Sequence, residues 1–521
     1  MKKIFYFTAF AILALLPCGC YEDKGNYDYS DIGEVTVDVK SGVYEYNVMM
    51  GEHLTIPMAV TSDIPESDLE YMWEGVTYNG KFFDLTEGRD FDSPVGPDDY
   101  FASYAEYTLR LRVSWKVNGR PANSYSPLIT VSISGETGLM VLHGNDTESD
   151  IGVIQEPEFL MKEGVQINPK LTLNNFSTVN GFKLPGKGKI LIQQHAAGAD
   201  VDACHVYIIT DQTAIYAGAE GFAKKGDYFD LFYTMGGVPP QGKGKPQRFG
   251  FYAAKTVLID DGEMFMLIAS SSTAKFDVPQ EFIGLPGCKV SPLSYLAPNA
   301  YLFDVEKKRF FKCYIDTTPW YPQLYDSPHG AFNINDMKAD LLHFDFLDTS
   351  GRYLGVFRGD DNEIFIGEIN FAASGTAASP YAYAKYGILN LPGFETAKLH
   401  AFGNNGSMCY YATDTAAPGN AVKGVFQYAV LGESGTTQAK KLMLNSSEIE
   451  MSGEVTMMKV LKSRPFDSTY QHSGVMLLVG TYENGVGTLH AILLSEMTGQ
   501  AVSHKTFTGF GRISDANLKT M

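Results

Sequence analysis

Cysteine is scarce in this chain, six residues among 521, and no two of them stand as C-x-x-C. That argues against a small zinc-stapled fold, whose thiolates come in close pairs. Basic runs are missing as well: 41 Lys and Arg face 60 Asp and Glu, a formal charge of −19. A chain with that field and no basic stripe does not gather phosphate backbones, which excludes nucleic acid as a partner. Catalytic signatures are absent too. There is no G-x-S-x-G for a serine hydrolase and no H-E-x-x-H for a zinc peptidase. "GVPPQGKG" (237–244) has P-loop spacing, but Gly244 stands where a magnesium-binding hydroxyl belongs, and Pro239 and Pro240 remove two amide donors. It reads as a surface loop. Tryptophan is limited to Trp73, Trp115 and Trp320.

Long apolar runs are confined to the start. Met1-Lys2-Lys3 precedes an apolar stretch, Ile4 to Leu16, of signal-peptide length and too short to span a bilayer. Gly19 sits directly before Cys20, with Leu15 and Leu16 upstream, although Pro17 and Cys18 depart from the usual pattern. The arrangement resembles the lipobox of bacterial lipoproteins, which implies acylation of Cys20 and loss of residues 1–19. Two or three acyl chains on one residue hold a protein stably at a membrane. Losing Lys2 and Lys3 moves the charge from −19 to about −21. Residues 20–33 then form an acidic, tyrosine-rich tether. Its Glu22-Asp23 resembles the signal that sends lipoproteins of glycan-foraging Gram-negative gut bacteria to the outer face of the outer membrane.

Residues 34–135 alternate with period two. In "YTLRLRVSWKV", Tyr107, Leu109, Leu111, Val113, Trp115 and Val117 share one face and Arg110 and Arg112 the other. This predicts a strand with one dry side, turned back at Asn118-Gly119. Shorter versions ("YEYNVMM", "HLTIPMAV", "LEYMWEG", "SPLITVSIS") complete an Ig-like β-sandwich, with Trp73 and Trp115 in its core. "CYEDKGNYDYSDI", Trp73 in "YMWEG" and the "YTLRLRVSW" strand resemble the PKD-like family of surface lipoproteins. Trp73-Glu74-Gly75 stands where PKD modules read W-x-F-G-D-G.

From 138 to 521 one pattern repeats: an apolar run, a polar turn, a second apolar run. Turns fall near Thr147, Gln212, Asp261, Lys307, Asp361, Pro418 and Gly485, on average about 56 residues apart. That spacing predicts a β-propeller of about seven blades, with a large irregular sandwich as the alternative. The only helical hint is a turn or two at "DMKADLLHF" (336–344). The fold class expected is therefore all-β, a sandwich followed by a propeller.

Candidate sites are few. His195, Cys204 and His205 cluster in sequence, but Cys204 and His205 sit on opposite faces of a strand. Cys204, Cys288, Cys313 and Cys409 allow three pairings, with free buried thiols the simplest reading. "GNDTESD" (144–150) and "GDDNE" (359–363) offer oxygen ligands, so calcium is a candidate cofactor, though both lack EF-hand spacing and suit plain turns. "DTTPWYPQLYDSPHG" (316–330) breaks the strand grammar. Its prolines stiffen a loop carrying Trp320, Tyr321 and Tyr325, a candidate platform for sugars or peptides.

Members of the PKD-like lipoprotein family accompany TonB-dependent transporters and SusD-like lipoproteins. The resemblance thus implies a non-catalytic surface component that binds glycan or peptide nutrients. Two alternatives stay open: a propeller hydrolase or lyase using loop carboxylates or histidines, and a purely structural subunit of the transporter complex.

Overall fold

The computed structural model describes residues 33–49, 53–76, 80–95, 100–101, 106–134, 138–161, 167, 169–194, 205–219, 221–232, 242, 244–252, 255–268, 275–276, 285–294, 299–314, 322–325, 329–347, 351–389, 391–403, 408–413, 424–430, 435–463 and 470–519. The architecture is all-β, an Ig/PKD-like sandwich followed by a β-propeller. Chain contacts divide it into two compact units. One comprises Met1–Gly42, Thr55–Phe91 and Leu109–Leu128, the other Val43–Leu54, Asp92–Thr108 and Ile129–Met521.

The first unit is organised around the alternating stretch. Strand Glu106–Val117 buries Leu109, Leu111, Val113 and Trp115 on one side. Glu70–Val76 runs antiparallel to it with Trp73 opposite Leu111, and Arg120–Tyr125 returns along it after the turn. Positive φ at Asn118 (52°) and Gly119 (76°) lets that turn follow the right-handed twist of the strands. Trp73 is fully buried and meets Phe91 edge-on, ring centroids 5.1 Å apart. On the polar face Glu74 receives Arg110 Nε and Arg112 Nη1, each at 2.6 Å. The Arg110 guanidinium lies between the Phe82 and Tyr125 rings, 3.3 and 4.1 Å from their centroids. The alternation therefore reports two real faces, one apolar and one ionic.

In the second unit Glu45–Met49 pairs in parallel with Ile129–Ser134. Seven further sheets follow among the described residues. The first contains Gly138–Gly144, Glu148–Gln155 and Lys170–Thr172, and the second Gly188–Gln193, His205–Thr210, Ala214–Gly218 and Lys224–Asp227. Pro246–Tyr252, Lys255–Asp260 and Glu263–Ile268 make the third; Asn299–Asp304, Arg309–Tyr314 and Gln323–Leu324 the fourth. The fifth is Ala339–Phe346, Arg352–Gly359, Ile364–Asn370 and Ala382–Gly387. The sixth is Leu399–Phe402, Met408–Thr413, Gly424–Ala429 and Lys440–Lys441. The seventh is built on Glu454–Leu461, Met476–Glu483, Val486–Leu494 and Ala501–Phe510.

Each sheet packs against the next, so its strands are apolar on both faces. This is why "GLMVL" reads as an unbroken run rather than an alternation. Met140 and Leu142 pack toward Leu191 and Val206 of the second sheet, while Leu139 and Val141 pack toward Leu478 and Leu489 of the seventh. The last strand, Arg512–Lys519, pairs antiparallel with Gly138–Gly144 and joins the chain's end to the first sheet. Backbones crowd at this junction: a Cβ on Gly511 would stand 2.4 Å from Gly144 O, which only glycine avoids.

The hinted helix at "DMKADLLHF" is a strand. Ala339–Phe346 pairs with Arg352–Gly359, and the turn before it falls at Ile334-Asn335, with Asp336-Met337 leading into the strand. Period-two pairing with a neighbouring strand outweighs the weak helical tendency of a short segment.

Candidate functional site

Polar residues tie strands of different propeller sheets to one another. Leu191 N donates to Asp515 Oδ2 at 3.0 Å, and Asn517 Nδ2 donates to Leu191 O. From the seventh sheet Lys459 Nζ reaches Asp515 Oδ1 at 3.3 Å and Asn517 Oδ1 at 2.7 Å. Lys462, only 3% exposed in its side chain, donates to Asp345 Oδ2 at 2.6 Å and to Phe346 O. These charges pin strands together.

His343 and His400 face each other across the fifth and sixth sheets, ring centroids 5.9 Å apart. Burial pushes both imidazoles down to about 3, with Lys462 and Arg248 adding to the effect at His343. His343 Nε2 and both ring nitrogens of His400 are buried without a hydrogen-bond partner among the described residues. Both rings are therefore neutral at physiological pH. In the seventh sheet His490 Nδ1 and His504 Nε2 lie 3.0 Å apart, and burial lowers His490 to about 4.

A pocket of about 370 Å³ opens where turns of the fifth, sixth and seventh sheets converge. Arg352, Met408, Tyr410, Val475, Ser495 and Glu496 line it, together with Gly403, Gly474 and Gly499. Its guanidinium is held from behind. Arg352 donates through Nε (2.8 Å) and Nη2 (2.5 Å) to Glu368 Oε1, and Tyr386 Oη donates to the other oxygen of that buried carboxylate. Burial and this bond push the Tyr386 phenol well above its ordinary range. Glu496 sits on a tight turn, where Gly499 N donates to Ser495 O at 2.8 Å. Tyr410 Oη donates to Gly499 O at 2.8 Å and Gln427 Nε2 to Thr498 O at 2.6 Å, fixing that turn to the sixth sheet. The pocket is thus pre-formed, with a guanidinium, a carboxylate and a small apolar wall.

Of the residues singled out from sequence, Cys20, His195, Cys204, Trp320 and Tyr321 lie outside the described residues. Tyr325 does not present a ring to solvent. It is 1% exposed, packed edge-on to Tyr381 at 4.8 Å and near Phe371, so it belongs to the core between the fourth and fifth sheets. Cys288, Cys313 and Cys409 are thiols outside any disulfide. Burial raises all three, Cys313 to about 12, which keeps them protonated and unreactive.

The acidic turns spend their oxygens within the protein: Glu148, Asp360 and Glu363 pair with Lys183, Lys308 and Lys385, and others accept from the backbone. Asn145 Oδ1 accepts from Thr147 N and Glu148 N, and Asp361 Oδ1 from Glu363 N. Among the described residues no three His, Cys, Asp or Glu side chains converge on a metal-sized site. In the P-loop-like stretch Gly244 N donates to Tyr228 Oη at 3.2 Å, a contact within the protein. The pocket residues carried no motif: Arg352 and Glu496 are ordinary polar residues at strand ends until the ring brings them together.

Residues 20–188 match the PKD-like family. The match runs past the sandwich strands and through the first propeller sheet's hairpin, Gly138–Gln155. No curated protein matches the chain. Among solved structures it is similar to the extracellular domain of a one component system from B. thetaiotaomicron, at 11% identity over 91% of this chain and 70% of that one, TM-score 0.38. AztD from Citrobacter koseri aligns in its apo form at 9% identity over 77% and 95%, TM-score 0.35. The Swd1 β-propeller domain of Myceliophteria thermophila aligns at 10% over 61% and 87%, TM-score 0.32.

Proposed function

We propose that this chain is a lipid-anchored protein of the outer membrane's exterior, a non-catalytic binding or accessory component of a glycan or peptide nutrient-uptake system. The leader ending at Cys20 and the PKD-like match over residues 20–188 support the setting. One observation carries the binding role: a pocket of about 370 Å³ whose Arg352 is braced by the buried Glu368 and whose Ser495–Gly499 turn is tied to the sixth sheet by Tyr410. A propeller is suited to such a task because its rigid ring fixes turn residues from several sheets in one place. The Trp320-Tyr321 pair, named from the sequence, is a second candidate contact. A TonB-dependent transporter and its SusD-like lipoprotein are the expected partners.

The test is a binding screen of the soluble mature chain, Cys20 replaced, against neutral and acidic glycans and peptide mixtures, with product analysis in the same wells. Saturable binding with the ligand recovered intact is the expected result. Trp320→Ala is expected to weaken it about tenfold, the loss of roughly 1.4 kcal/mol of binding energy. Cleaved ligand would show a hydrolase or lyase, and no binding at all would leave a structural role in the transporter complex.

A further inference from the structure

We infer that His490 and His504, on neighbouring strands of the seventh sheet, form a two-nitrogen site for a Cu(II) ion. The inference goes beyond the recognition role and does not depend on it. Where Val486–Leu494 pairs with Ala501–Phe510, His490 stands opposite Thr506 and Ile492 opposite His504. Side chains alternate between the faces of a strand, so the two histidines share a face as diagonal neighbours. On the strand before them Thr481 continues the diagonal, its Oγ1 3.2 Å from His490 Nε2. The same face carries the buried Leu477, Val479, Ile492 and Leu494. Three polar groups thus cross an apolar face, from Thr481 and His490, 4% and 6% exposed, to the half-buried His504.

His490 Nδ1 and His504 Nε2 lie 3.0 Å apart, with ring planes 12° from parallel. In the metal-free pair one shared proton bridges them. With metal–nitrogen bonds of about 2.0–2.1 Å, nitrogens at that separation subtend roughly 90–97° at an ion. A corner near a right angle belongs to the tetragonal geometry of Cu(II) or Ni(II), and Cu(II) leads Ni(II) and Zn(II) in affinity. A tetrahedral Zn(II) needs its nitrogens about 3.3 Å apart or more. Binding asks for one movement: the His504 ring, the less buried of the two, swings off the line to His490. The shared proton then moves to a far ring nitrogen. With Nδ1 on the ion, His490 Nε2–H donates to Thr481 Oγ1, the outer contact that orients a ligating imidazole. Burial holds both rings neutral at physiological pH, so each can offer a lone pair. Lys505, next in sequence, lies on the opposite face and pairs with Glu156 and Glu158, so its ammonium does not oppose an ion. The protein supplies two nitrogens, and water fills the ion's other positions.

The experiment titrates the soluble mature chain, Cys20 replaced, with Cu(II) alone, read by calorimetry and electron paramagnetic resonance. Ni(II) and Zn(II) are titrated in parallel. The expected result is one Cu(II) per chain with two coupled imidazole nitrogens in its spectrum, bound more tightly than either other ion. His504→Gln is expected to remove the two-nitrogen spectrum and weaken binding tenfold or more, with the melting temperature unchanged. Thr481→Val is expected to keep that spectrum while weakening binding about tenfold, the effect of losing an outer contact to a ligand. A two-nitrogen spectrum that survives His504→Gln would place the ion on other groups and overturn the site. Absence of saturable Cu(II) binding would overturn it too and leave the pair a plain hydrogen bond. Tighter binding of Zn(II) than of Cu(II) would overturn the choice of metal. Glycan and peptide binding is measured separately, so failure here leaves the recognition role standing.

Discussion

Trp73 shows how much one side chain contributes to a small sandwich core. It has no exposed surface, and Phe91 fills the space at its edge. Trp73→Ala removes a large buried ring that its neighbours cannot refill, at a cost of about 3–5 kcal/mol. Denaturant titration is expected to show that loss in the sandwich transition.

His400 illustrates the opposite case, a polar group buried without a partner. His343 and His400 bind protons in the native state only near pH 3, against about 6.5 when unfolded. Between these values the unfolded chain holds more protons, so stability rises with pH. It is complete above about pH 6.5 and drains as the pH falls toward 3. His400→Phe removes the unpartnered nitrogens while keeping the ring's volume. It is expected to match or exceed wild-type stability at pH 7 and to flatten the decline between pH 6.5 and 4, measured by urea unfolding across that range. A decline as steep as in wild type would show that other groups set it.

Among elements, the last strand matters most. Arg512–Lys519 covers the edge of Gly138–Gly144, buries Ile513 and Ala516, and receives Lys459 from the neighbouring sheet. Without it the first sheet keeps an open edge and the ring loses its seam. Deleting residues 512–521 is expected to abolish the single cooperative unfolding of the propeller and expose residues 138–172 to protease. A synthetic peptide of residues 511–521 is expected to restore protection. Full cooperativity in the truncated chain would show that packing between sheets closes the ring unaided. Hairpins were the most legible elements. Asp261-Gly262 and Asn484-Gly485 have the paired positive φ that tight turns require (49° and 76°, 51° and 85°), and such chemistry is local enough to read from a dipeptide. "DMKADLLHF" hides its strand because the partner, Arg352–Gly359, lies outside any short window.

For the whole molecule, the leader yields a clean prediction. Cys20→Ala is expected to move the protein from the membrane pellet to the soluble fraction while leaving its far-UV spectrum and probe binding unchanged. Retention in the pellet would point to an anchor other than a lipid on that residue. No helix among the described residues is long and apolar enough to cross a membrane.

Period two, turn dipeptides and their spacing are local properties, and they specify an all-β chain of sandwich and propeller. Burial is not local. Tyr325 looked like part of an aromatic platform in its loop, yet the fifth sheet covers it with Phe371 and Tyr381. Tyr470 Oη donates to Glu158 O across 312 residues, and Leu191 N to Asp515 across 324. The pocket likewise draws on segments from Arg352 to Gly499. Strand and turn followed from neighbours in the chain. The site followed only from ring closure, because the groups that hold Arg352 and the Ser495–Gly499 turn in place belong to strands and turns that the fold, rather than the sequence order, sets side by side.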